Sequence, residues 1–375
     1  MFHQTRYGVV PQLLKRKKGF NLYFTSLSSS NPKNIFVLRN NDLGDVLVCT
    51  PLLYALKKSY PLCSLTIGVG DWAKSLLEYN PSIDEILPCN APWHNKQICR
   101  FPANSSVTFL QGLLYCLFHK ETKYIAKKRF SHGIDVLGSR QGSWLMLRSG
   151  IQNRFGVHGY AGGDNLCHRS IHFNKNQHVA LSCLEFLKLF QIDLEFEPRP
   201  LIYLTKKETE QAHHRWRIEE IPKLKIVIAP GGGFQEKCWG DENYTQLSRS
   251  LLHDPNNRIS IIGSDEDESR IKAESSKNLK NFCGKLSLRE SAALVSEADC
   301  VITNSSVCMH LAGAFKIPSI TLLGDWYDSA NLHKQQWGYP ESIVLGKETK
   351  EGVTKIASVD ETMQKALKIL KSRSS

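Results

Sequence analysis

The sequence predicts an α/β protein with two doubly wound domains, each built on a parallel sheet that helices cover on both faces. Short β-branched apolar runs alternate with segments of helical periodicity, first between Ile35 and Leu87 and again between Lys225 and Leu323. Continuous apolar runs are typical of strands that are buried on both faces of a parallel sheet. Strands that alternate with helices indicate βαβ units. With 375 residues, of which 41% are hydrophobic, the chain is long enough for two such domains.

The chain is predicted to divide into four parts. They are a basic extension at 1–33, a first α/β domain at 34–197, a linker region at 198–222 and a second α/β domain at 223–375. The extension carries a basic cluster at 15–18, followed by aromatic and serine-rich residues. It is interpreted either as a poorly ordered arm or as a segment that touches an anionic membrane surface.

The first predicted strand, Ile35–Leu38, leads into a polar turn and then into a helix that ends near Lys58. Gly44 would let the backbone turn tightly between the strand and the helix. Asp45 follows at the carboxyl end of the strand, where open α/β sheets bind their ligands. A carboxylate in this position can act as a general base, although capping of the helix is the alternative role.

An apolar segment, Phe109–Phe118, is followed directly by the basic residues of segment 119–129. It is shorter than the ~20 residues that a membrane-spanning helix needs, as is every other apolar run in the chain. One interpretation is a helix of the core. The other is a surface helix that dips apolar side chains into lipid while the lysines contact headgroup phosphates.

In the second domain, the strand Lys225–Ala229 ends in Pro230 and three consecutive glycines, Gly231, Gly232 and Gly233. Consecutive glycines permit close approach of the backbone to a bulky ligand. Their spacing fits neither a P-loop nor a dinucleotide-binding fingerprint, which argues against a mononucleotide kinase and a dehydrogenase.

The acidic run at 265–268 follows the next predicted strand and is expected to begin a helix. One of these acids, for which we take Glu266, could bind a ribose hydroxyl as the acid of a Rossmann domain does. Metal binding and a solvated first turn of a helix are the alternatives, and of these two the solvated turn is favoured, since acids are common there.

A complete strand–turn–helix–strand unit lies between Asp299 and Gly324. Ser305 and Ser306 lie where its helix begins, so that free backbone N–H groups and the positive end of the helix dipole can attract phosphate. The alternative is that the two serines only cap the helix.

The net charge of +12 and the pI near 9.1 indicate an anionic partner. No helix-turn-helix, zinc-finger or RNA-binding signature accompanies the charge, so we expect phospholipid or a phosphorylated substrate and no nucleic acid. Eleven scattered cysteines, without CxxC pairs or metal-ligand spacing, indicate reduced thiols in a cytosolic protein and predict no metal site.

Three of these segments together resemble a known family. They are Arg39–Tyr60 with its Leu-Gly-Asp-Val, Ala229–Trp239 with its Pro-Gly-Gly-Gly, and Gly284–Gly324 with His310. In this order they resemble the motifs of glycosyltransferase family 9, the ADP-heptose:lipopolysaccharide heptosyltransferases. The resemblance covers most of residues 34–335.

This resemblance implies a GT-B fold, in which two Rossmann-like domains face a cleft, and an inverting sugar transfer. The implied donor is a nucleotide diphosphate sugar, with ADP-heptose expected, and the implied acceptor is a lipopolysaccharide core or a related glycolipid. No cofactor and no metal are expected, because a lysine and helix N-termini can stabilise the leaving diphosphate. The enzyme would work in the cytoplasm, peripherally on the anionic cytoplasmic face of the inner membrane.

By position, the resemblance implies that Asp45 is the base that takes the acceptor's hydroxyl proton and that Lys237 contacts the donor phosphates. Gly44 and Arg154 are assigned to the acceptor. The residues assigned to donor binding are Gly231, Gly232, Gly233, Asn304, Ser305, Ser306, Val307, His310 and Glu266.

The sequence departs from the family's terminal motif at two positions. The family has an acid, a hydroxyl residue and a glycine where this chain has Ser305, Ser306 and Val307. Valine is disfavoured at positive φ and is bulkier than glycine where the backbone would meet phosphate. We therefore expect a weak or shifted donor preference. A sugar-nucleotide epimerase or hydrolase of the same fold, or a catalytically weakened homologue that binds sugar nucleotides, remains the alternative function.

Overall fold

The computed structural model describes residues 31–102, 105–217, 224–273 and 276–374. The described chain forms two compact units, which we call the N-terminal and C-terminal units. The N-terminal unit extends to Lys175 and resumes at Ala180–Pro198, and the C-terminal unit takes Asn176–Val179 and the chain from Arg199 onward. The basic cluster at 15–18 and most of the predicted extension lie outside the described residues.

In the first half of the chain, the described residues form six strands and eight α-helices. The strands are β1 (Asn34–Leu38), β2 (Ser64–Val69), β3 (Glu85–Pro88), β4 (His132–Asp135), β5 (Asn153–His158) and β6 (Arg169–His172). The helices are α1 (Leu43–Val48), α2 (Thr50–Ser59), α3 (Lys74–Leu77), α4 (Ser106–Phe118), α5 (Lys120–Lys127), α6 (Arg140–Arg148), α7 (Val179–Leu184) and α8 (Phe186–Leu189). All strand pairs are parallel, and the order in the sheet is β3-β2-β1-β4-β5-β6.

The second half repeats this architecture. Its strands are β7 (Leu224–Ala229), β8 (Asn257–Ile261), β9 (Leu279–Asn281), β10 (Cys300–Asn304), β11 (Ser319–Leu322) and β12 (Ser342–Leu345). Its helices are α9 (Lys206–Trp216), α10 (Asp241–Leu252), α11 (Leu288–Ser296), α12 (Val307–Ala314), α13 (Ala330–Trp337) and α14 (Val359–Ser374). The sheet is again parallel, in the order β12-β11-β10-β7-β8-β9.

The central strand β1 shows why both faces of the sheet are covered. All of its apolar side chains are buried, and they alternate between two cores, as the two-residue period of a strand requires. Ile35 and Val37 pack in one cluster, whereas Phe36 and Leu38 pack in the other with Trp93. The predicted fold class, two doubly wound parallel α/β units, is therefore confirmed.

In both sheets the strand order reverses beside the first strand, between β1 and β4 and between β7 and β10. Ligands of open α/β sheets bind outside the carboxyl ends of the strands at such a switch point. The residues that follow β7 and β10, and those that follow β1 and β4, are therefore where a site is expected.

Some local predictions were wrong. The helix predicted after β1 is two helices, because Pro51 lies in the first turn of α2 and cannot donate a backbone hydrogen bond to continue α1. Gly44 lies inside α1 and its φ is not positive, so it makes no tight turn. The acidic run begins no α-helix and forms only a 3-10 turn, Asp265–Asp267.

All eleven cysteines are free thiols, as the sequence predicts. Within the described ranges, no helix is both long and apolar enough to cross a bilayer.

Candidate functional site

The loop after β7 carries the predicted glycines and Lys237. A 3-10 turn, Gln235–Lys237, follows the glycines, and Gly240 at a φ of 115° leads into α10. A Cβ added to Gly231 would lie 2.5 Å from Asp267 Oδ2, and one added to Gly232 would lie 2.7 Å from Cys238 Sγ. A side chain at either position would displace Asp267 or Cys238, so packing within the protein already favours glycine at both.

Asn304 is the last residue of β10 and is fully buried. Its Oδ1 accepts hydrogen bonds from the backbone N–H of Trp239 (3.0 Å) and the hydroxyl of Tyr244 (2.9 Å). Its Nδ2 donates to the carbonyl oxygens of Pro230 (2.5 Å) and Gly231 (3.3 Å). The amide thus braces both ends of the loop that carries Lys237, and its hydrogen-bonding groups are occupied within the protein.

Ser306 is the N-cap residue of α12, and its Oγ accepts from the backbone N–H of Cys308 at 3.3 Å. Val307 is the first residue of that helix and its φ is not positive. The expected conflict between valine and a left-handed backbone therefore does not arise, because the first turn of a right-handed helix accepts valine without strain.

Ser305, between Asn304 and the cap, has a partner that the sequence did not indicate. Its Oγ lies 2.8 Å from Nε2 of His333, a residue of α13 that is 4% exposed. Burial, with help from the positive charge of Lys237, lowers the pKa of His333 to about 3. The imidazole is therefore neutral at physiological pH.

Lys237 belongs to the same cluster. Its Nζ lies 5.0 Å from the centroid of the Phe234 ring and 5.7 Å from that of the Tyr327 ring. The Tyr327 ring in turn packs edge-on against His333, with centroids 5.1 Å apart. Lys237, Tyr327, His333 and Ser305 thus form one continuous group, built from the loops after β7, β10 and β11 and from α13.

His310 and Glu266 lie in contrasting surroundings. His310 is buried in α12, where its Nδ1 is 2.8 Å from the hydroxyl of Tyr339, and burial lowers its pKa to about 3. Glu266 is exposed in the 3-10 turn after β8. Its neighbour Asp267 is buried, and its carboxylate accepts from the backbone N–H and hydroxyl of Ser264. Only Glu266 of this pair is open to a ligand.

In the N-terminal unit, Asp45 lies in the first turn of α1 and pairs with Arg39, the residue that follows β1. Arg39 Nη2 donates to Asp45 Oδ1 at 2.8 Å, and its Nε donates to the Asp45 carbonyl oxygen at 3.1 Å. Burial alone would lower the pKa of Arg39, but the Asp45 carboxylate and other neighbours raise it above its usual value. The guanidinium is therefore a permanent cation that fixes the Asp45 side chain.

A second carboxylate, Asp135, ends the neighbouring strand β4. It is 1% exposed, and burial raises its pKa to about 6. Its Oδ2 accepts from the backbone N–H (2.7 Å) and the hydroxyl (3.0 Å) of Ser139, which caps α6. Asp135 therefore stabilises the loop between β4 and α6. The Asp45 side chain, in contrast, is 29% exposed and accessible.

Arg154 lies away from this edge. It is near the amino end of β5, and its guanidinium donates to the carbonyl oxygens of Leu166 (2.8 Å) and Ile151 (2.7 Å). Because the strands are parallel, the amino end of β5 is opposite the edge where Asp45 lies. This placement does not support the assignment of Arg154 to the acceptor.

The segment predicted at Phe109–Phe118 lies in α4, which is apolar on two sides. One face packs inward through Thr108, Gly112, Tyr115 and Cys116. The other exposes large apolar side chains, of which Leu110 is 54% and Phe118 65% exposed. The exposed set comprises Val107, Phe109, Leu110, Leu114, Leu117 and Phe118. The inner face therefore confirms the interpretation as a helix of the core, whereas contact of the exposed face with lipid stays a prediction.

No group of three or more metal-ligating side chains occurs in the part of the chain that the structure describes.

The sequence analysis did not identify Arg39 and His333 as residues of the candidate sites. Arg39 was signalled by its position directly after β1, beside the polar turn. His333 had no signal, because helix α13 was not predicted and the contact with Ser305 joins residues 28 positions apart.

Comparison with known proteins identifies relatives along most of the chain. The profile of glycosyltransferase family 9 (heptosyltransferase) matches residues 118–337. The lipooligosaccharide heptosyltransferase 2 of Haemophilus influenzae is 24% identical over 362 residues, which cover 90% of this chain and 98% of that protein.

Solved structures share the fold. That of the Escherichia coli ADP-heptose lipopolysaccharide heptosyltransferase II matches with a TM-score of 0.71 at 17% identity, covering 91% of this chain and all of that one (100%). That of the Escherichia coli heptosyltransferase WaaC with ADP matches with a TM-score of 0.64 at 16% identity, covering 90% and 99%. Both support the two-unit α/β architecture.

The bracing role of Asn304 predicts the effect of Asn304→Asp. The substitution keeps the shape but replaces the donor to Pro230 and Gly231 with a buried carboxylate oxygen that faces their carbonyl oxygens. We expect a loss of about 2–4 kcal/mol in the free energy of unfolding, measured by urea denaturation. Asn243→Asp is the matched control, since Asn243 also donates to a backbone carbonyl, that of Trp239, but is only half-buried. Equal small losses in the two variants would contradict the bracing role.

Proposed function

The chain belongs to glycosyltransferase family 9, and we propose from this premise that it transfers heptose from a nucleotide diphosphate sugar to a lipopolysaccharide core or a related glycolipid. ADP-heptose is the proposed donor. The names of the similar heptosyltransferases, one of them solved with ADP, support this choice. The observation that carries the proposal is the cluster of Lys237, Ser305 and His333 at the switch point of the C-terminal unit.

In the proposed reaction, Asp45 takes the proton of the acceptor hydroxyl. The acceptor oxygen then forms a bond to the anomeric carbon, while the bond from that carbon to the diphosphate breaks and its electron pair leaves with the diphosphate. Attack from the face opposite the leaving group inverts the anomeric configuration. The exposure of Asp45 and its attachment to Arg39 support this role, because a base must be accessible and held in one orientation.

Lys237 is the proposed contact of the leaving diphosphate. A cation there stabilises the transition state more than the ground state, because negative charge on the diphosphate grows as the bond breaks. The N-terminus of α12, beside Ser305, contributes backbone N–H groups and the positive end of a dipole. These groups can balance the charge of the diphosphate without a metal ion.

We assign roles to the remaining predicted site residues from their positions and their exposure in the structure. Gly231 and Gly232 shape the loop, Asn304 braces it, and Ser306 and Val307 form the first turn of α12. Gly233 and the exposed Glu266 remain proposed donor contacts, the latter to a ribose hydroxyl. His310 supports the site from within α12. Gly44 belongs to the helix that carries Asp45, and Arg154 is left out of the proposed site.

The enzyme is further proposed to act on the cytoplasmic face of the inner membrane and to contact it through the exposed face of α4. An apolar helix face that ends in basic residues suits the boundary between headgroups and acyl chains of anionic lipid. Four basic residues that follow α4 in the chain are exposed, namely Lys120, Lys123, Lys127 and Arg129. This surface would bring the enzyme to an acceptor embedded in lipid.

The overall proposal is tested by incubating the protein with ADP-heptose, with and without a heptose-deficient lipopolysaccharide core. Transfer requires the acceptor and yields a heptosylated core together with ADP. Release or conversion of heptose in the absence of acceptor would instead identify a hydrolase or an epimerase. Binding of the nucleotide sugar without any turnover would identify a weakened homologue.

Asp45→Asn is expected to reduce turnover by about 10²-fold or more, because the amide keeps the size of the side chain but cannot accept the proton. Affinity for ADP, measured by calorimetry, should be unchanged. Asp42→Asn is the matched control, since Asp42 is the N-cap residue of the same helix and pairs with Lys96 at its surface. Near-normal turnover in Asp45→Asn would mean that Asp45 only stabilises α1 and is not the base.

Lys237→Ala is expected to weaken ADP binding and to reduce turnover further than binding, since the lost charge acts most strongly in the transition state. Lys285→Ala is the control, because Lys285 is an exposed lysine of the same unit, paired with Glu268 at 2.8 Å. Excess EDTA should leave the rate of the unmodified enzyme unchanged. Loss of activity in EDTA and recovery with magnesium would refute the metal-independent mechanism.

Vesicle co-sedimentation tests the membrane surface. Binding should require anionic lipid and fall as salt increases, since each basic residue near such a surface contributes ~1 kcal/mol that salt screens. Replacing Lys120, Lys123 and Lys127 by Glu should abolish binding, and Leu110→Ser with Leu114→Ser should weaken it. Replacing Lys365, Lys368 and Lys371 of α14 by Glu is the charge-matched control. Equal binding to neutral vesicles, or an equal effect of the control, would contradict the proposal.

A further inference from the structure

His333 is a buried histidine whose two ring nitrogens lie in different surroundings. Its Nε2 lies 2.8 Å from Ser305 Oγ. Its Nδ1 is buried and has no hydrogen-bond partner among the described residues. An unpaired buried polar atom costs stability, so its retention beside the candidate donor site requires an explanation.

The unpaired nitrogen indicates where the single proton of the neutral imidazole lies. With the proton on Nδ1, a buried N–H would have no acceptor. With the proton on Nε2, only a lone pair on Nδ1 is left unpaired, which buried groups tolerate better than an unpaired N–H. The structure therefore favours the tautomer in which Nε2–H donates to Ser305 Oγ.

This direction of the hydrogen bond determines what Ser305 can offer to a ligand. Its oxygen accepts from His333, so its hydroxyl hydrogen must point elsewhere. Ser305 is half-buried and lies directly before the capping residue of α12, and the cation of Lys237 is close to His333. A hydrogen-bond donor in positive surroundings suits an anionic acceptor such as a phosphate oxygen.

We propose that His333 is a positioning residue that orients the hydroxyl of Ser305 as a hydrogen-bond donor to the diphosphate of the sugar nucleotide. This inference rests on the proposed function of the C-terminal unit. It also explains why this chain has the uncharged residues Ser305 and His333 at the position where glycosyltransferase family 9 has an acid. An acid can only accept hydrogen bonds and would repel the diphosphate, whereas the His333–Ser305 pair presents a donor.

The pair is tested by titrating ADP into single and double variants of the full chain. Ser305→Ala removes the donor and should weaken ADP binding about 10-fold, on the scale of a hydrogen bond to a charged group. His333→Phe keeps an aromatic ring against Tyr327 but no longer orients the hydroxyl, and it should weaken binding by about 3- to 10-fold. The double variant should bind within about 2-fold of Ser305→Ala, because both substitutions remove the same interaction.

Two further variants separate orientation from packing. His333→Gln supplies an amide N–H near the position of Nε2, and it should restore binding to within about 3-fold of the unmodified protein. Ser305→Asp should bind ADP more weakly than Ser305→Ala does, since a carboxylate repels the diphosphate. Binding of adenosine, which has no phosphate, should be the same in every variant.

The chain offers a matched control in its other unit. His132 is also buried and its Nδ1 lies 2.9 Å from the hydroxyl of Ser131, at the amino end of β4. His132→Phe therefore removes a second histidine–serine hydrogen bond away from the nucleotide. It should leave the affinity for ADP unchanged.

The results that would overturn the inference are distinct. Positioning by His333 would be refuted by any of three results. The losses of ADP affinity in Ser305→Ala and His333→Phe could multiply in the double variant, or His333→Gln could bind ADP as weakly as His333→Phe. The third is a loss of adenosine affinity equal to the loss of ADP affinity. Nitrogen-15 NMR of the imidazole in the unmodified protein tests the tautomer without any substitution, and a proton on Nδ1 would also refute it. If the unmodified protein bound no ADP, the proposed function itself would fail together with the inference.

Discussion

The geometry of the C-terminal site depends on one buried amide, that of Asn304. The parallel register pairs Thr303 with Ala229, so the next residue of β10 lies beside the start of the loop after β7. From there the amide satisfies two carbonyl oxygens at the beginning of the loop and one backbone N–H at its end. Lys237 lies between these points. Its position is therefore fixed by hydrogen bonds that a buried site cannot leave unmade.

The two units place side chains of opposite charge at the same topological position, after the first strand of each sheet. In the N-terminal unit, the residues after β1 provide a carboxylate, Asp45, that a buried arginine holds in place. In the C-terminal unit, the residues after β7 provide a cation, Lys237, next to a histidine that burial keeps neutral. Inverting sugar transfer needs one group that accepts a proton and another that stabilises a leaving anion. The proposed function assigns the first role to Asp45 of the N-terminal unit and the second to Lys237 of the C-terminal unit.

Helix α4 shows how far a pattern of residues can specify structure. Its sequence is apolar almost all round, which normally indicates complete burial. The fold covers only one face, with Tyr115 and Cys116 in the core and Leu110 and Phe118 exposed. The proposed membrane contact uses this uncovered face and the lysines that follow the helix in the chain. Which face is left uncovered depends on how α4 packs against the sheet and α6, and this packing is not encoded in α4 alone.

The sequence by itself determined the alternation of strands and helices, the doubly wound class and the resemblance to glycosyltransferase family 9, because these depend on local periodicity and short motifs. It also identified Asp45 as the candidate base and Lys237 as the candidate contact of the donor phosphates. Only the tertiary structure decided that Arg39 holds Asp45, that Asn304 is a brace, and that His333 bonds to Ser305. These contacts depend on strand order, register and the direction of individual hydrogen bonds. Residues distant in the chain acquire them only when the sheet brings their elements together.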